Sequence, residues 1–329
     1  MTTVAPEDTR PAGVSSSGHR LSLAEARRSP CLSCSTSPCC THLPIHSFTM
    51  STLMDLDNAR YLLNFDAIDL GLSASGEWSV YYARPCRFLD PRDATCTIHA
   101  TERQPNICAT YNPYSCWYRR VFSQPTEDFV WFDRERLERL AEHVAFDDYR
   151  RIVEVPSWDS LVAETAPPPT PPEDRSPVFI TLGATRLRQD PPDGAPVQPR
   201  SFDQLRTPCA SCAAYCCTTL VFPKPAPTTN VHLDYWRFCL GFPGVEVGIG
   251  DEGWSLIIST TCRHLDDANR CLVFGQPERP LRCDYYDAWK CTYKPRLGPV
   301  PQPGFRRLGL EEFDAYLAKV EFDAAGNVI

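Results

Sequence analysis

Lysine is nearly missing from this 329-residue chain: Lys224, Lys290, Lys294 and Lys319 are all of it. Arginine carries the remaining positive charge, and the formal net charge is −8. No run of clustered Lys and Arg is present, which argues against a nucleic-acid partner, because phosphate backbones select for such patches. The first thirty residues contain no apolar block of the kind a signal peptide requires. No stretch approaches the length of a membrane-spanning helix. The expectation is a cytoplasmic protein with neither nucleic-acid nor membrane partners. Hydrophobic residues make up 43% of the chain, enough for true cores.

Cysteine, by contrast, is abundant, with 17 residues. A disulfide-stapled secreted protein would carry an even count and an export signal, and this chain has neither. In a reducing compartment dense cysteine points to metal ligation. The cysteines also repeat. Cys31, Cys34, Cys39, Cys40, Cys86, Cys96, Cys108 and Cys116 have successive gaps of 3, 5, 1, 46, 10, 12 and 8. Cys209, Cys212, Cys216, Cys217, Cys262, Cys271, Cys283 and Cys291 have gaps of 3, 4, 1, 45, 9, 12 and 8. No gap changes by more than one residue, which chance does not produce.

The surrounding residues agree. GEWSVYYARPCRFLDPRDATCTIH corresponds to EGWSLIISTTCRHLDDANRCLVF, and RQPNICATYNPYSCWY to RPLRCDYYDAWKCTY. The predicted layout is a disordered tail over 1–28, a cysteine-cluster module over 29–160, a Pro-rich linker over 161–200 and a second module over 201–325. ETAPPPTPPEDRSP and RQDPPDGAPVQPR make that linker extended, with VFITLG between them as a short strand. Within each module a helix follows the first cluster. DLDNARYLLNF places Leu56, Ala59 and Leu63 on one side; NVHLDYWRFCLGF does so with Val231, Tyr235, Phe238 and Phe242. A strand comes next, WSVYYA or WSLIIS, then short loops holding the last four cysteines. Each copy closes with an amphipathic helix, carrying Leu137, Leu140, Ala141 and Val144 or Leu310, Phe313, Leu317 and Val320. The predicted fold class is α+β: two homologous, small, cysteine-rich, metal-stapled modules.

Cys-x-x-Cys turns bring two sulfurs to the separation one ion requires, and four thiolates suit zinc or an iron–sulfur centre. Neighbouring side chains diverge on strand and helix alike, so Cys39–Cys40 and Cys216–Cys217 are expected to serve two metals or two corners of a cluster. Eight thiols per module then divide into two four-sulfur sites or one polynuclear centre. Metal joining the early cluster to the late one would fasten the module's ends, and structural zinc contributes roughly 10–16 kcal/mol.

The pattern CxxCxxxCC, then C…C, then RPxxC, resembles the zinc- or iron-chelating cysteine-cluster family called YkgJ-like. The second copy carries it closely, in CASCAAYCC, CRHLDDANRCLVF and Arg279-Pro280-Leu281-Arg282-Cys283. The first copy has a spacer one residue longer and Gln104-Pro105 where the family has Arg-Pro. The resemblance implies metal binding through the sixteen paired cysteines, with zinc, iron or an iron–sulfur cluster as cofactor. The alternative is an iron–sulfur redox protein, if the sites hold such a centre, or an enzyme resembling the flagellin lysine methylase, which is similar at greater distance.

Other features are expected to be structural. Cys239 has no partner in copy one and reads as core. His42, His99 and His264 have no histidine counterparts in the other copy, so they are expected beside the ligands or on the surface. Gly248-x-Gly250-x-x-Gly253 precedes a strand and carries acidic residues, so it reads as a turn and not a phosphate loop. No P-loop, Ser/His/Asp order or paired-carboxylate constellation stands out.

Overall fold

The computed structural model describes residues 37–111, 116, 118, 128–163, 201–299 and 302–329. The predicted tail, Cys31, Cys34, the VFITLG segment and nearly all of the linker lie outside them. The protein is a mixed α+β chain. Its first half runs α1 (Pro38–Thr41), β1 (His42–Thr49), α2 (Leu53–Leu62), β2 (Ile68–Ser73), β3 (Glu77–Ala83), α3 (Asn106–Ala109), β4 (Phe129–Phe132) and α4 (Arg134–Glu142). Its second half runs α5 (Tyr215–Thr218), β5 (Thr219–Lys224), α6 (Asn230–Leu240), β6 (Val245–Gly250), β7 (Gly253–Ser259), α7 (Leu281–Asp284), β8 (Arg306–Leu308) and α8 (Leu310–Leu317).

Each half builds one four-stranded antiparallel sheet, in the order β1-β3-β2-β4 and β5-β7-β6-β8. The register repeats as well. Leu70 faces Val80 and Phe132, and Val247 faces Leu256 and Leu308. Three of the four strands in each sheet escape the pattern reading, and two of the three do so for physical reasons. β1 and β5 contain Pro44 and Pro223, which a sheet tolerates on an edge strand or at a bulge. Both strands are edges, and β1 has its register shift between Pro44 and His46. β2 and β6 are interrupted by Gly71 and Gly248. An added Cβ at Gly71 would enter the Phe129 ring, and one at Gly248 would lie 2.7 Å from Phe305. An aromatic ring thus covers each glycine.

The helices fall where the periodicity places them, with one correction. Leu56, Ala59, Leu63, Leu137, Leu140, Val144, Leu310 and Phe313 are buried as expected. Val231 is 62% exposed; the buried face of α6 is Leu233, Trp236, Cys239 and Leu240. Cys239 is fully enclosed, a core residue as expected. Gly248 and Gly250 lie within β6, while Gly253 (φ +117°) opens β7, so the glycine motif is a β-hairpin. Among the described residues no helix is long and apolar enough to cross a membrane.

Helix starts are chemically specified. Thr52 caps α2 in a capping box closed by Asp55, and Thr229 accepts from His232 N at the start of α6. The two halves pack on each other, and one apolar cluster runs through both sheets. Tyr82 donates to the Pro243 carbonyl at 2.8 Å, and Tyr235 donates back to the Pro44 carbonyl at 3.1 Å.

Candidate metal centre

The cysteine pairs lie at one end of each sheet. Both doublets sit in a single helical turn, α1 or α5, entered from a residue in the left-handed region: Ser37 (φ 41°) or Ala214 (φ 52°). That conformation costs a non-glycine residue about 1–2 kcal/mol. It recurs two residues before one later pair of equivalent cysteines, at Ala94 before Cys96 and Asn269 before Cys271. Strain repeated at matched positions marks a site where side-chain direction matters more than local comfort.

Cys39 and Cys40 have their sulfurs 4.0 Å apart, and so do Cys216 and Cys217. Two thiolates at about 2.3 Å from a tetrahedral ion would be about 3.8 Å apart. The divergence expected of neighbouring side chains is therefore absent. Each doublet has the spacing of two ligands on one ion, and the reason for assigning its sulfurs to separate metals falls away.

The remaining segments are tied to the doublets by backbone. Cys86 N donates to the Cys40 carbonyl at 2.6 Å, and Cys262 N to the Cys217 carbonyl at 2.7 Å. Cys96 ends a two-stranded hairpin with Leu89–Asp90, and Cys271 makes the matching bridge to Leu265. Cys108 is the third residue of α3, and Cys283 the third of α7.

Electrostatics links the thiols into groups. Burial pushes Cys283 up, Arg279 opposes it, and neighbouring Cys216, Cys271 and Cys262 add to the rise. Burial together with Cys271 and Cys216 pushes Cys262 up to about 11, against a hydrogen bond from the His264 amide and the Arg134 charge. Within the doublet, the hydrogen bond from Cys217 lowers Cys216 to about 7, and Cys217 is raised in turn, so one proton serves two sulfurs. Burial first, then Cys216, Cys212 and Cys291, raises Cys209 against the Thr207 hydrogen bond. Cys216 thus borders two groups, Cys217/Cys262/Cys271/Cys283 and Cys209/Cys212/Cys291. In the first half burial, Cys96 and Cys39 act on Cys86 in the same sense. Crowded thiols that resist ionisation are relieved by a cation, which deprotonates them outright.

The donor set therefore fits a soft metal in chemistry and in the doublet spacing. Among the described residues, however, no three thiol, imidazole or carboxylate groups converge closely enough to enclose an ion as they stand. Cys31 and Cys34 lie outside the described residues. Cys116 accepts from the Tyr111 hydroxyl at 3.4 Å, Cys291 from Lys294 N at 3.5 Å, and Cys108 is exposed.

The histidines have polar partners of their own. His42 Nδ1 lies 2.9 Å from the Thr41 hydroxyl, His99 Nδ1 is 3.4 Å from Gln104 Nε2, and His264 Nε2 is 3.0 Å from Arg134 Nη1. Burial lowers both His42 and His264 to about 4, so each is neutral at pH 7; Arg134 and Arg263 add to the shift at His264. Arg279 stacks 4.2 Å from the Phe274 ring centroid, donates to the Cys283 carbonyl at 2.9 Å and pairs with Asp284 at 3.2 Å. A surface hollow of about 510 Å³ lies beside Cys212, bordered by Asp203, Arg206, Ser211 and Arg270.

Two carboxylates next to the cysteine segments carry no cysteine signature and were missed by sequence reasoning. Asp234 of α6 accepts from Asn106 N and Ile107 N of α3, each at 2.8 Å. Asp57 of α2 accepts from Arg282 N of α7 at 3.0 Å. The available signal was Leu-Asp-x-x-Arg, present at Leu56–Arg60 and again at Leu233–Arg237. No protein-family model, curated protein or solved structure matches the chain.

Proposed function

We propose that the chain is a tandem, cytoplasmic metal-holding protein, each half gripping zinc or iron through its cysteines, as its resemblance to the YkgJ-like cysteine-cluster family implies. In this reading the halves are homologous metal-stapled modules joined by the Pro-rich segment. In the second half Cys216, Cys217, Cys262, Cys271 and Cys283 provide one ligand group and Cys209, Cys212 and Cys291 extend it. In the first half the corresponding residues are Cys39, Cys40, Cys86, Cys96 and Cys108, with Cys31, Cys34 and Cys116. A closed thiolate cage makes zinc structural, whereas an iron–sulfur centre would bring redox chemistry.

One observation carries the proposal. Segments separated by about 45 residues return to the same place twice, each time presenting a doublet with sulfurs 4.0 Å apart. The side chains themselves do two things: they supply thiolates, and in the second half Arg279 lowers the cost of ionising Cys283.

The test is elemental analysis and absorbance of protein purified without oxygen. Bound zinc in a colourless sample, or iron in a brown one that bleaches on reduction, is the expected result. Folded protein devoid of both metals would falsify the reading.

A further inference from the structure

α3 and α7 are four-residue helices with no side-chain cap of their own, each preceded by proline (Pro105, Pro280). So short a turn does not hold itself, and its first N–H groups need acceptors. In both cases the acceptor is a carboxylate from the opposite half. Asp234 takes two N–H groups of the turn carrying Cys108, and Asp57 takes the Arg282 N–H in the turn carrying Cys283. Asp57 is 1% exposed and is steadied by Arg60 at 3.6 Å, itself bonded to Glu138 at 3.1 Å. The ends of the same two long helices grip a second cysteine segment. Arg263 N, next to Cys262, donates to the Asn64 carbonyl at 2.8 Å. Arg87 N, next to Cys86, donates to the Gly241 carbonyl at 2.9 Å.

We infer that Asp57 and Asp234 are crossed positioning residues: the first half sets Cys283 for the second cysteine site, and the second half sets Cys108 for the first. Neither site is complete within its own half. This rests on the metal-holding reading for its ligand, but its geometry stands apart from it.

The experiment uses the full chain, made without oxygen, with Asp57→Ala, Asp234→Ala and the shape-conserving Asp57→Asn and Asp234→Asn. Peptide-resolved hydrogen exchange is compared between 281–284 and 106–109, and alkylation is read at Cys283. Asp57→Ala should speed exchange at 281–284 and alkylation of Cys283 by about tenfold and leave exchange at 106–109 unchanged. Asp234→Ala should speed exchange at 106–109 alone, and the Asn variants should fall between, since loss of a charge-assisted hydrogen bond makes local opening easier by about that factor. Faster exchange confined to the variant's own half overturns the inference. So does a uniform rise in both the Ala and Asn variants, and so does faster exchange at 281–284 in Asp57→Ala with unchanged alkylation of Cys283. Wild-type protein lacking zinc and iron overturns the metal reading alone, and the exchange pattern still decides this one.

Discussion

Arg279 and Asp284 form an ion pair that the first half lacks, and removing both members should cost less than the sum of removing each. At the corresponding positions the first half has Gln104, 5% exposed, and Ala109, 4% exposed. Arg279 and Asp284 have side chains 13% and 12% exposed. Breaking a largely buried pair by removing one partner costs about 3–5 kcal/mol, while replacing both is often neutral. Arg279→Gln also loses the stacking on Phe274, about 0.5–2 kcal/mol, and weakens the charge-assisted bond to the Cys283 carbonyl, about 1.5–3 kcal/mol. Arg279→Gln should therefore destabilise by at least about 3 kcal/mol, and Asp284→Ala by somewhat less. The double variant should be more stable than the sum of the singles predicts by about 1–3 kcal/mol. Denaturant midpoints at constant m give these values. Arg279 also works against the burial that raises Cys283, so Arg279→Gln should shift ion binding in the second half to higher pH. Strict additivity of the singles, or an unmoved midpoint for Arg279→Gln, would refute this account of the pair.

Further outcomes follow from the same geometry. Gly71→Ala and Gly248→Ala should each cost about 1–3 kcal/mol, because the new methyl group meets Phe129 or Phe305; equilibrium unfolding measures it. Partial burial works against the ionised Asp55, but bonds from the Ser51 and Thr52 amides and hydroxyls outweigh it and hold its pKa below 3.8. That contribution is present above the unfolded-state value and lost as pH falls through the folded one, so Asp55→Asn should flatten the acid limb of the stability curve below about pH 4. Thr52→Ala, which removes the other half of the capping box, should cost about 1 kcal/mol at pH 7. Chelation should lower the thermal midpoint and open cysteines in both halves to alkylation, given the size of structural metal contributions, roughly 10–16 kcal/mol for zinc; an unchanged melt after full metal removal would count against stapling.

Much of this organisation was legible in the chain, and the exceptions have identifiable causes. The cysteine repeat is legible because it is a matter of residue spacing alone, and α2, α4 and α8 show their buried stripes because one face of each joins the shared apolar cluster. α6 misleads at Val231, which begins the apolar run but lies in the exposed first turn. β1 and β5 were obscured by prolines that only an edge strand accepts, and β2 and β6 by glycines whose covering rings come from β4 and the segment before β8. The doublet geometry could not be read from residue order, since it depends on the left-handed entry at Ser37 and Ala214. The carboxylate caps were hidden for a different reason. Asp57 is 225 residues from its partner and Asp234 is 128 from Asn106, so the repeated Leu-Asp-x-x-Arg marks the carboxylates but not what they contact.

That exchange of carboxylates has a consequence for how the chain assembles. Surfaces that each give and receive the same contact are those of an isologous two-fold dimer. Here both protomer-like bodies belong to a single polypeptide, so pairing is intramolecular and independent of protein concentration. Covalent union also frees the partners from identity. Gln104 and Ala109 can occupy one body while Arg279 and Asp284 occupy the other, a difference that no homodimer of one gene product could sustain.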